Sequence, residues 1–182
     1  VNHPRFNSPP SYFNYFFNAG ACQGFPGFSY DFDVVEVLNG MMVKEPMVSA
    51  VMADWLCLLL TGHFVTATGN SDSHGSRGLT LGYPRNYVYT GDDDPATFSE
   101  PSFVQALLER RVVVSTAPFV EIQAWSARIG DTVQARGELP LRVVVQAASW
   151  VQVDKVRIIR GAEIVREPGR AAERLGRVVG QG

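Results

Sequence analysis

The sequence contains little cysteine, few histidines and no long apolar stretch, and these shortages exclude several classes of protein. Two cysteines, Cys22 and Cys57, are too few for a disulfide framework and lack C-x-x-C spacing. Cys57 lies in an apolar helical run, so we predict a small core side chain there. The longest apolar run, residues 55–60, is far shorter than a membrane-spanning helix, and no signal-peptide pattern opens the chain.

A strong charge of either sign is also missing. The 182 residues carry a net charge of −2 without a basic stripe, which argues against a nucleic-acid binder held by its phosphate contacts. The apolar content of 46% is that of a folded globular protein rather than a disordered tail. The length suits one domain, or one domain with a small module.

The opening residues, Val1-Asn2-His3-Pro4, lack a start methionine and resemble the end of a strand. We therefore expect the chain to be a fragment of a longer protein.

A strand–helix–strand succession occupies the middle of the first part. Residues 33–38 are a short run of β-formers, and residues 46–61 carry apolar side chains on one helical stripe, with Pro46 in the first turn. Residues 63–68 predict the next strand. This order indicates a βαβ unit, which implies a parallel sheet or barrel. Around the unit we predict an ordered aromatic loop with one helical turn at 6–30, strands at 87–89 and 112–115, and a helix at 102–111.

The pattern changes from residue 119 onward. Runs of β-formers at 120–125, 139–145 and 153–159 are separated by glycine-rich turns, and no helical period fits. This predicts a small all-β module of the sandwich type. We therefore divide the chain into residues 1–118 and 119–182.

Side chains able to bind a cation follow two of the predicted strands. His3 lies at the end of the first, and Asp72 and His74 follow the strand at 63–68. Functional groups of parallel sheets and barrels gather where strands end. An Asp and a His two residues apart on extended backbone project to the same face. Carboxylate beside imidazole suits Zn, Mn or Fe, so these residues are candidate metal ligands.

Simpler roles are open for each of these residues. A D-x-H pattern arises by chance in many chains, often where a loop Asp caps a helix. A histidine before proline at a strand end, as at His3, is commonly a turn residue. His63, at a helix exit, is better explained by a cap or by solvent, and we leave it out of the site.

The order of motifs along the chain resembles that of the PHP (polymerase and histidinol phosphatase) superfamily. The motifs are N-H-P-R, V-E-V-L-N-G, a helix with a central Trp, T-A-T-G-N-S-D-S-H-G, and G-Y-P-R-N-Y-V. More narrowly, the chain is similar to CehA/McbA-type metallohydrolases, as is its tail with A-L-L-E-R-R-V-V-V-S-T-A-P, I-G-D-T-V and V-D-K-V-R-I-I-R-G. The resemblance covers nearly the whole chain, and T-G-N-S-D-S-H is its most specific part.

This resemblance implies a fold of the α/β class and a metal cluster. The expected fold is a partial, distorted (β/α) barrel of the PHP type, followed by the small all-β sandwich-like module. Two or three divalent ions (Zn, Mn or Fe) would lie at the carboxyl ends of the strands. His3, Asp72 and His74 would be ligands to different ions of one cluster.

Four further residues receive expected roles beside the metals. Arg5 and Arg85 are candidates to hold an anionic group such as phosphate, because guanidinium pairs with such oxygens in a fork; a structural salt bridge is equally open for both. We expect Glu36 to be structural and Asn39 to be a turn residue.

The activity implied is metal-dependent hydrolysis of a small, anionic substrate. The resemblance favours phosphoesters, with ester or carbamate bonds open. Asp72 would anchor a metal and orient the attacking water. Arg5 or Arg85 would neutralise the developing charge.

The chain departs from the family at its start. The family's opening H-x-H motif, and the His and acidic ligands that follow it, are absent. Zinc sites take at least three protein ligands each, so three ligands cannot hold two or three ions tightly. We expect these 182 residues alone to bind metal weakly and to be inactive, with the missing ligands coming from an upstream segment of the same protein.

Two rival hypotheses stay open. In one, the first part is a degenerate, non-catalytic scaffold, and the β module recognises a surface, a glycan or a partner. In the other, the chain is a structural accessory domain, which would be favoured if His3 lay far from Asp72 and His74. Ligands of a shared cluster approach within roughly 4–8 Å of one another.

Overall fold

The structure, a computed structural model, describes residues 1–6, 10–40, 46–75 and 81–167, and the backbone of residues 178–180. The chain divides into two compact units, Val1–Thr116 and Ala117–Gly182. Sequence analysis placed this division between residues 118 and 119. Each unit is described by itself.

An aromatic cluster organises the beginning of the first unit. Helix α1 (Tyr12–Phe16) leads into a small antiparallel hairpin of β1 (Phe17–Asn18) and β2 (Gln23–Gly24). Phe13 is fully buried, and its ring centroid lies 5.3 Å from that of Phe17 and 5.4 Å from that of Phe28. Aromatic pairs at such distances are favourable beyond their area burial, which explains why a segment without any period is ordered.

The predicted strand–helix–strand unit forms the centre of the first unit. Strand β3 (Val34–Asn39) pairs in parallel with β4 (Thr66–Asn70), and helix α2 (Met47–Leu60) connects them. Strand β3 is buried on both faces, as parallel strands usually are. Its Val35 and Val37 share a core with Leu58 of α2.

The first residue extends this parallel arrangement on the other side of β3. The Val1 amino group donates a hydrogen bond to Val34 O at 2.5 Å, and Val1 O accepts one from the Glu36 amide at 2.9 Å. A residue bonded in this way to two alternate neighbours has the pattern of a parallel ladder. Val1 therefore lies beside Val35 of β3, on the side away from β4.

The two cysteines are bonded to each other. Cys22, in the turn of the hairpin, forms a disulfide with Cys57 of α2, over a sequence separation of 35. Cys57 is buried in the core, as the sequence predicted, but the bond was not predicted because two cysteines without a motif carry no pairing information. The bond ties the hairpin to α2.

The remaining strands of the first unit are antiparallel. Strand β5 (Arg85–Val88) pairs with β6 (Val112–Ser115), and helix α3 (Glu100–Leu108) lies between them in the chain. The Asn86 side chain links β5 to β4, since its amide donates to Gly69 O at 2.9 Å and its oxygen accepts from Gly69 N at 2.8 Å.

The prediction of a partial (β/α) barrel is wrong. Among the described residues, only β3 and β4 form a parallel two-stranded sheet, and no barrel closes. The error has a local cause: strand–helix–strand order looks the same whether the second strand continues or reverses direction. Around α3 the chain reverses, so that Arg85 pairs with Ser115.

In the described residues of the second unit, the strands form one sheet and a separate hairpin instead of the predicted sandwich. An antiparallel sheet of order β12-β9-β7-β8 is formed by β7 (Phe119–Ala124), β8 (Ala127–Arg128), β9 (Leu139–Gln146) and β12 (Val178–Gly180). Strands β10 (Ile158–Arg160) and β11 (Glu163–Arg166) form the hairpin. Of the predicted strand at 153–159, only residues 158 and 159 are paired with described residues, and valines favour strands only where a partner sheet exists.

Within the described ranges, no helix is long and apolar enough to span a membrane. The longest, α2, has 14 residues.

Candidate metal centre

The polar residues of interest lie just after Val1 and at the carboxyl ends of β3 and β4. His3 follows Val1 by two residues, Asn39 is the last residue of β3, and Asp72 follows the end of β4 by two residues. The carboxyl edge of a parallel sheet is where such folds place their ligands. The site thus rests on backbone hydrogen bonding around β3.

Among the three predicted metal ligands, Asp72 lies near both histidines. His74 Nε2 lies 2.9 Å from Asp72 Oδ1, and His3 Nε2 lies 3.8 Å from Asp72 Oδ2. Two atoms that each bind one ion at about 2.1 Å are at most about 4.2 Å apart, so both distances are within range. Asp72 stands between the two imidazoles with one oxygen directed to each. The separation that would have favoured a purely structural domain is not observed.

The backbone of the site departs from the extended form expected for D-x-H. His3 has φ 46° and Asp72 has φ 53°, both in the left-handed region that side chains other than glycine rarely adopt. Asp72 and His74 therefore meet through a turn at Asp72 rather than through alternation along a strand. Uncommon backbone of this kind clusters at functional sites.

Solvent reaches the three ligands to different degrees. The side chain of His74 is 76% exposed, that of His3 39% and that of Asp72 19%. The group is an open surface site, with Asp72 at its less accessible centre.

Glu36, predicted to be structural, lies beneath His3 at this site. Its side chain is 3% exposed. Oε2 accepts a hydrogen bond from the His3 amide at 2.8 Å and lies 3.3 Å from His3 Nδ1. Oε1 accepts from the amides of Asn70 at 2.9 Å and Asn39 at 3.3 Å. The available signal in the sequence was an acidic residue inside an otherwise apolar strand.

Asn39, predicted to be a turn residue, is instead the last residue of β3. It is buried, and its Nδ2 lies 3.1 Å from His3 Nδ1 as well as near Glu36. The side chain therefore belongs to the polar group beneath His3.

Arg5 is placed against a buried carboxylate. Its Nε and Nη2 donate to Asp54 Oδ2 at 2.5 Å and Oδ1 at 2.8 Å, and Nη2 also donates to Phe17 O at 3.2 Å. Asp54 is fully buried on α2, and burial raises the pKa of its carboxyl while the pairing with Arg5 offsets part of the effect. The Arg5 guanidinium, a candidate for binding the substrate, is therefore paired with Asp54 in a salt bridge.

Arg85 lies at the exposed start of β5. Its Nε donates to Gly82 O at 2.7 Å, and no described hydrogen bond or ion pair joins it to His3, Asp72 or His74. The structure therefore brings together the three predicted ligands but neither predicted anion-binding arginine.

Gly40 permits the close approach on which the site depends. Its amide donates to Asn70 O at 2.8 Å. A Cβ at this position would lie 2.3 Å from Ser71 O and 2.7 Å from Tyr83 O, closer than backbone atoms allow. The segment before Asp72 can lie against the end of β3 because residue 40 has no side chain.

We expect Gly40→Ala to lower the free energy of unfolding by about 1–3 kcal/mol, because backbone rather than a side chain must move to admit the methyl group. Urea denaturation followed by circular dichroism measures the loss. Gly75→Ala is the matched control, since a Cβ there meets nothing within 4 Å. Equal midpoints for the two variants would contradict the argument.

The ligand set within the described residues is incomplete. Pairs of donors have suitable spacing, but no group of three or more His, Cys, Asp or Glu in the described ranges is arranged to hold a metal ion. Since zinc sites take at least three protein ligands, these residues fit part of a metal centre rather than a whole one.

No family model, curated protein or solved structure matches the chain. The resemblance to the PHP superfamily accordingly stays a prediction that rests on the motifs themselves.

Proposed function

We propose that His3, Asp72 and His74 form part of the divalent-metal centre of a hydrolase, completed by ligands from an upstream segment of the intact protein. The observation that carries the proposal is the convergence of the two imidazoles on the two oxygens of one carboxylate, at 2.9 and 3.8 Å. The residues come from two strand ends at one edge of a parallel sheet, where such centres are commonly built.

The chemistry of the donors supports a borderline cation such as Zn, Mn or Fe. A carboxylate supplies charge, and neutral imidazole supplies a directional nitrogen. A bound ion of this kind lowers the pKa of a coordinated water and polarises a phosphoryl or acyl oxygen. The contribution of the chain is to hold Asp72 between the imidazoles while leaving His74 open to solvent, from which a small, anionic substrate would approach.

The substrate class follows from the resemblance rather than from the contacts. Phosphoesters are proposed first, with ester and carbamate bonds as alternatives. Arg85 is exposed and could meet an anionic substrate, whereas the Arg5 guanidinium is bound to Asp54.

Asp72→Asn is expected to weaken Zn²⁺ binding by about a hundredfold, because loss of even an outer partner of a ligand costs 10–100-fold. Asparagine keeps the shape of the side chain and tolerates the left-handed backbone, so the melting curve should stay nearly unchanged. Isothermal titration of the intact protein with Zn²⁺ measures the affinity, and hydrolysis of a phosphodiester by the same protein measures activity.

Asp93→Asn is the matched control, because Asp93 is a carboxylate in an exposed loop. It should bind Zn²⁺ like the unaltered chain. If Asp72→Asn binds and hydrolyses as well as the control does, the proposed metal centre is wrong.

A non-catalytic binding protein is the second candidate. It is favoured by the absence of a three-ligand group in the described part of the chain. Two exposed tryptophans of the second unit, Trp125 (53%) and Trp150 (84%), would suit a recognition surface. On this hypothesis the intact protein retains no divalent ion, so metal analysis of the purified protein separates the two candidates.

A further inference from the structure

The hairpin of β1 and β2 is attached to α2 at two separate points. The first is the disulfide between Cys22 and Cys57. The second is the Arg5 guanidinium, whose Nη2 donates to Phe17 O on β1 at 3.2 Å and to Asp54 Oδ1 on α2 at 2.8 Å. Asp54 and Cys57 are three residues apart, so both attachments lie on one face of the helix.

Residues 1–6 are bonded to the same part of the first unit. Pro4 O accepts a hydrogen bond from the amide of Phe13 on α1 at 2.9 Å, and α1 runs directly into β1. The His3 amide donates to Glu36 Oε2 on β3 at 2.8 Å. Residues 1–6 are therefore bonded both to β3 and to the segment of α1 and β1, while Arg5 connects them to α2.

The hairpin has few hydrogen bonds of its own. Its strands have two residues each, and one further backbone bond runs from Phe25 N to Phe16 O at 2.7 Å. An isolated two-stranded hairpin is marginally stable in water. Phe17 is buried in the core at one end of the hairpin, whereas residues 18–21 of the turn are mostly exposed. The end that carries the turn therefore depends on the disulfide for its position on α2.

We propose that the Cys22–Cys57 bond is a redox-sensitive switch that controls how firmly residues 1–6 are held. The intact bond keeps the hairpin on α2, where Phe17 O can bind Arg5. Reduction lets the hairpin and residues 1–6 open locally while the rest of the first unit stays folded, as native proteins do in units less stable than the whole. Because His3 lies in this segment, reduction also loosens a ligand of the candidate metal centre, and this consequence alone rests on the proposed function.

The co-reactant for this switch is a dithiol. One of its thiolates attacks Sγ of Cys22, the more accessible of the two cysteines, and Cys57 leaves as a thiolate that takes a proton from solvent. The second thiol of the reductant then attacks the mixed disulfide, and Cys22 leaves in the same way. The protein bond gains two electrons and two protons, and the dithiol becomes a disulfide.

Hydrogen exchange of the intact protein tests the switch. Reduction should make the amides of His3, Phe13 and Phe25 exchange at least about tenfold faster, because their acceptors are no longer held in place. The bond also stabilises the whole fold, so the oxidised protein is measured in urea. The urea concentration is chosen so that the Tyr89 amide, which donates to Arg111 O at 2.9 Å beside the pair of β5 and β6, exchanges equally in both samples. Differences at the other amides then report local opening.

Cys22→Ser/Cys57→Ser is the control for the free thiols. It should exchange like the reduced protein, because both lack the bond. Its Zn²⁺ affinity, measured by isothermal titration of the intact protein, should be about tenfold weaker than that of the oxidised unaltered protein, since the support of one ligand is lost. The serine variant has no thiolate at these positions that could bind the ion itself.

Equal exchange at His3, Phe13 and Phe25 in the reduced protein and in the urea-matched oxidised protein overturns the proposal. A reduced protein that unfolds as a whole also overturns it, because the bond would then hold the entire fold rather than one segment. Equal Zn²⁺ affinity of the two forms would refute the part that concerns His3. The proposed function fails separately: faster exchange on reduction, in a protein that binds Zn²⁺ in neither form, would leave the switch in place and remove the metal centre.

Discussion

Arg5→Leu is expected to lower the free energy of unfolding by about 3–5 kcal/mol at pH 7, because it leaves a buried charge without a partner. Asp54 is fully buried, and Arg5 contacts both of its carboxylate oxygens. Equilibrium urea denaturation measures the loss. In the double variant Arg5→Leu/Asp54→Leu most of the stability should return, since apolar side chains often replace a buried ion pair at little cost.

The loss of unfolding free energy caused by Arg5→Leu should become smaller as the pH falls. Burial already raises the pKa of Asp54 in the native protein above its usual 3.8, and removing Arg5 raises it further. A native pKa above the unfolded one means that the native state binds the extra proton, so stability contributed by the neutral carboxyl is complete below about 3.8 and is lost as the pH rises through the native pKa. Arg5→Leu should therefore be less damaging near pH 4 than at pH 7.

Arg111→Leu provides the control for this comparison. Arg111 pairs with Glu109 at 2.9 Å, but both side chains are more than a third exposed. Surface pairs contribute about 0–1 kcal/mol, so this variant should be nearly neutral at either pH. A loss as small for Arg5→Leu would show that the Asp54 pair does not stabilise the fold.

Removal of the disulfide is expected to have the next largest effect on stability. Cys22→Ser/Cys57→Ser should lower the free energy of unfolding by about 3–4 kcal/mol, because the bond closes a loop over a separation of 35 residues and restricts the unfolded chain. Urea denaturation of the oxidised protein, the reduced protein and the double variant measures this difference.

The reduced protein and the double variant should agree, because both lack the cross-link. Intact mass measured without reductant establishes that the bond is present in the starting material. If reductant leaves the urea midpoint of the unaltered protein where it was, the bond between the hairpin and α2 does not contribute as described.

Helices and strands could be predicted from the sequence where neighbouring residues alone determine them. The helix from Pro46 and the strand at residues 33–38 appear as α2 and β3 within a residue or two, because apolar period and turn residues act over a few positions. Strand direction is not local. Nothing in residues 85–115 distinguishes a crossover from a return, and the barrel prediction failed at that point.

The residues of the site likewise divide into those that the sequence could predict and those that it could not. The strand ends predicted that His3, Asp72 and His74 would lie close together, and the structure places Asp72 beside each of the two imidazoles. Glu36 was assigned no part in the site, because its contacts depend on how the residues around Val1 lie against β3, which no period encodes. The Arg5 salt bridge was an open alternative that only a three-dimensional partner, Asp54, could decide.

The nearness of His3 and Asp72 has a thermodynamic consequence. The two residues stand at opposite ends of the βαβ unit, so the unfolded chain does not hold them together. A cation that bound both would select the folded form by mass action and add about 2.7 kcal/mol at a free concentration one hundred times its Kd. The fraction of sites occupied by the ion and the fraction of folded protein would then increase together, and the ion would act as a reversible cross-link within the first unit.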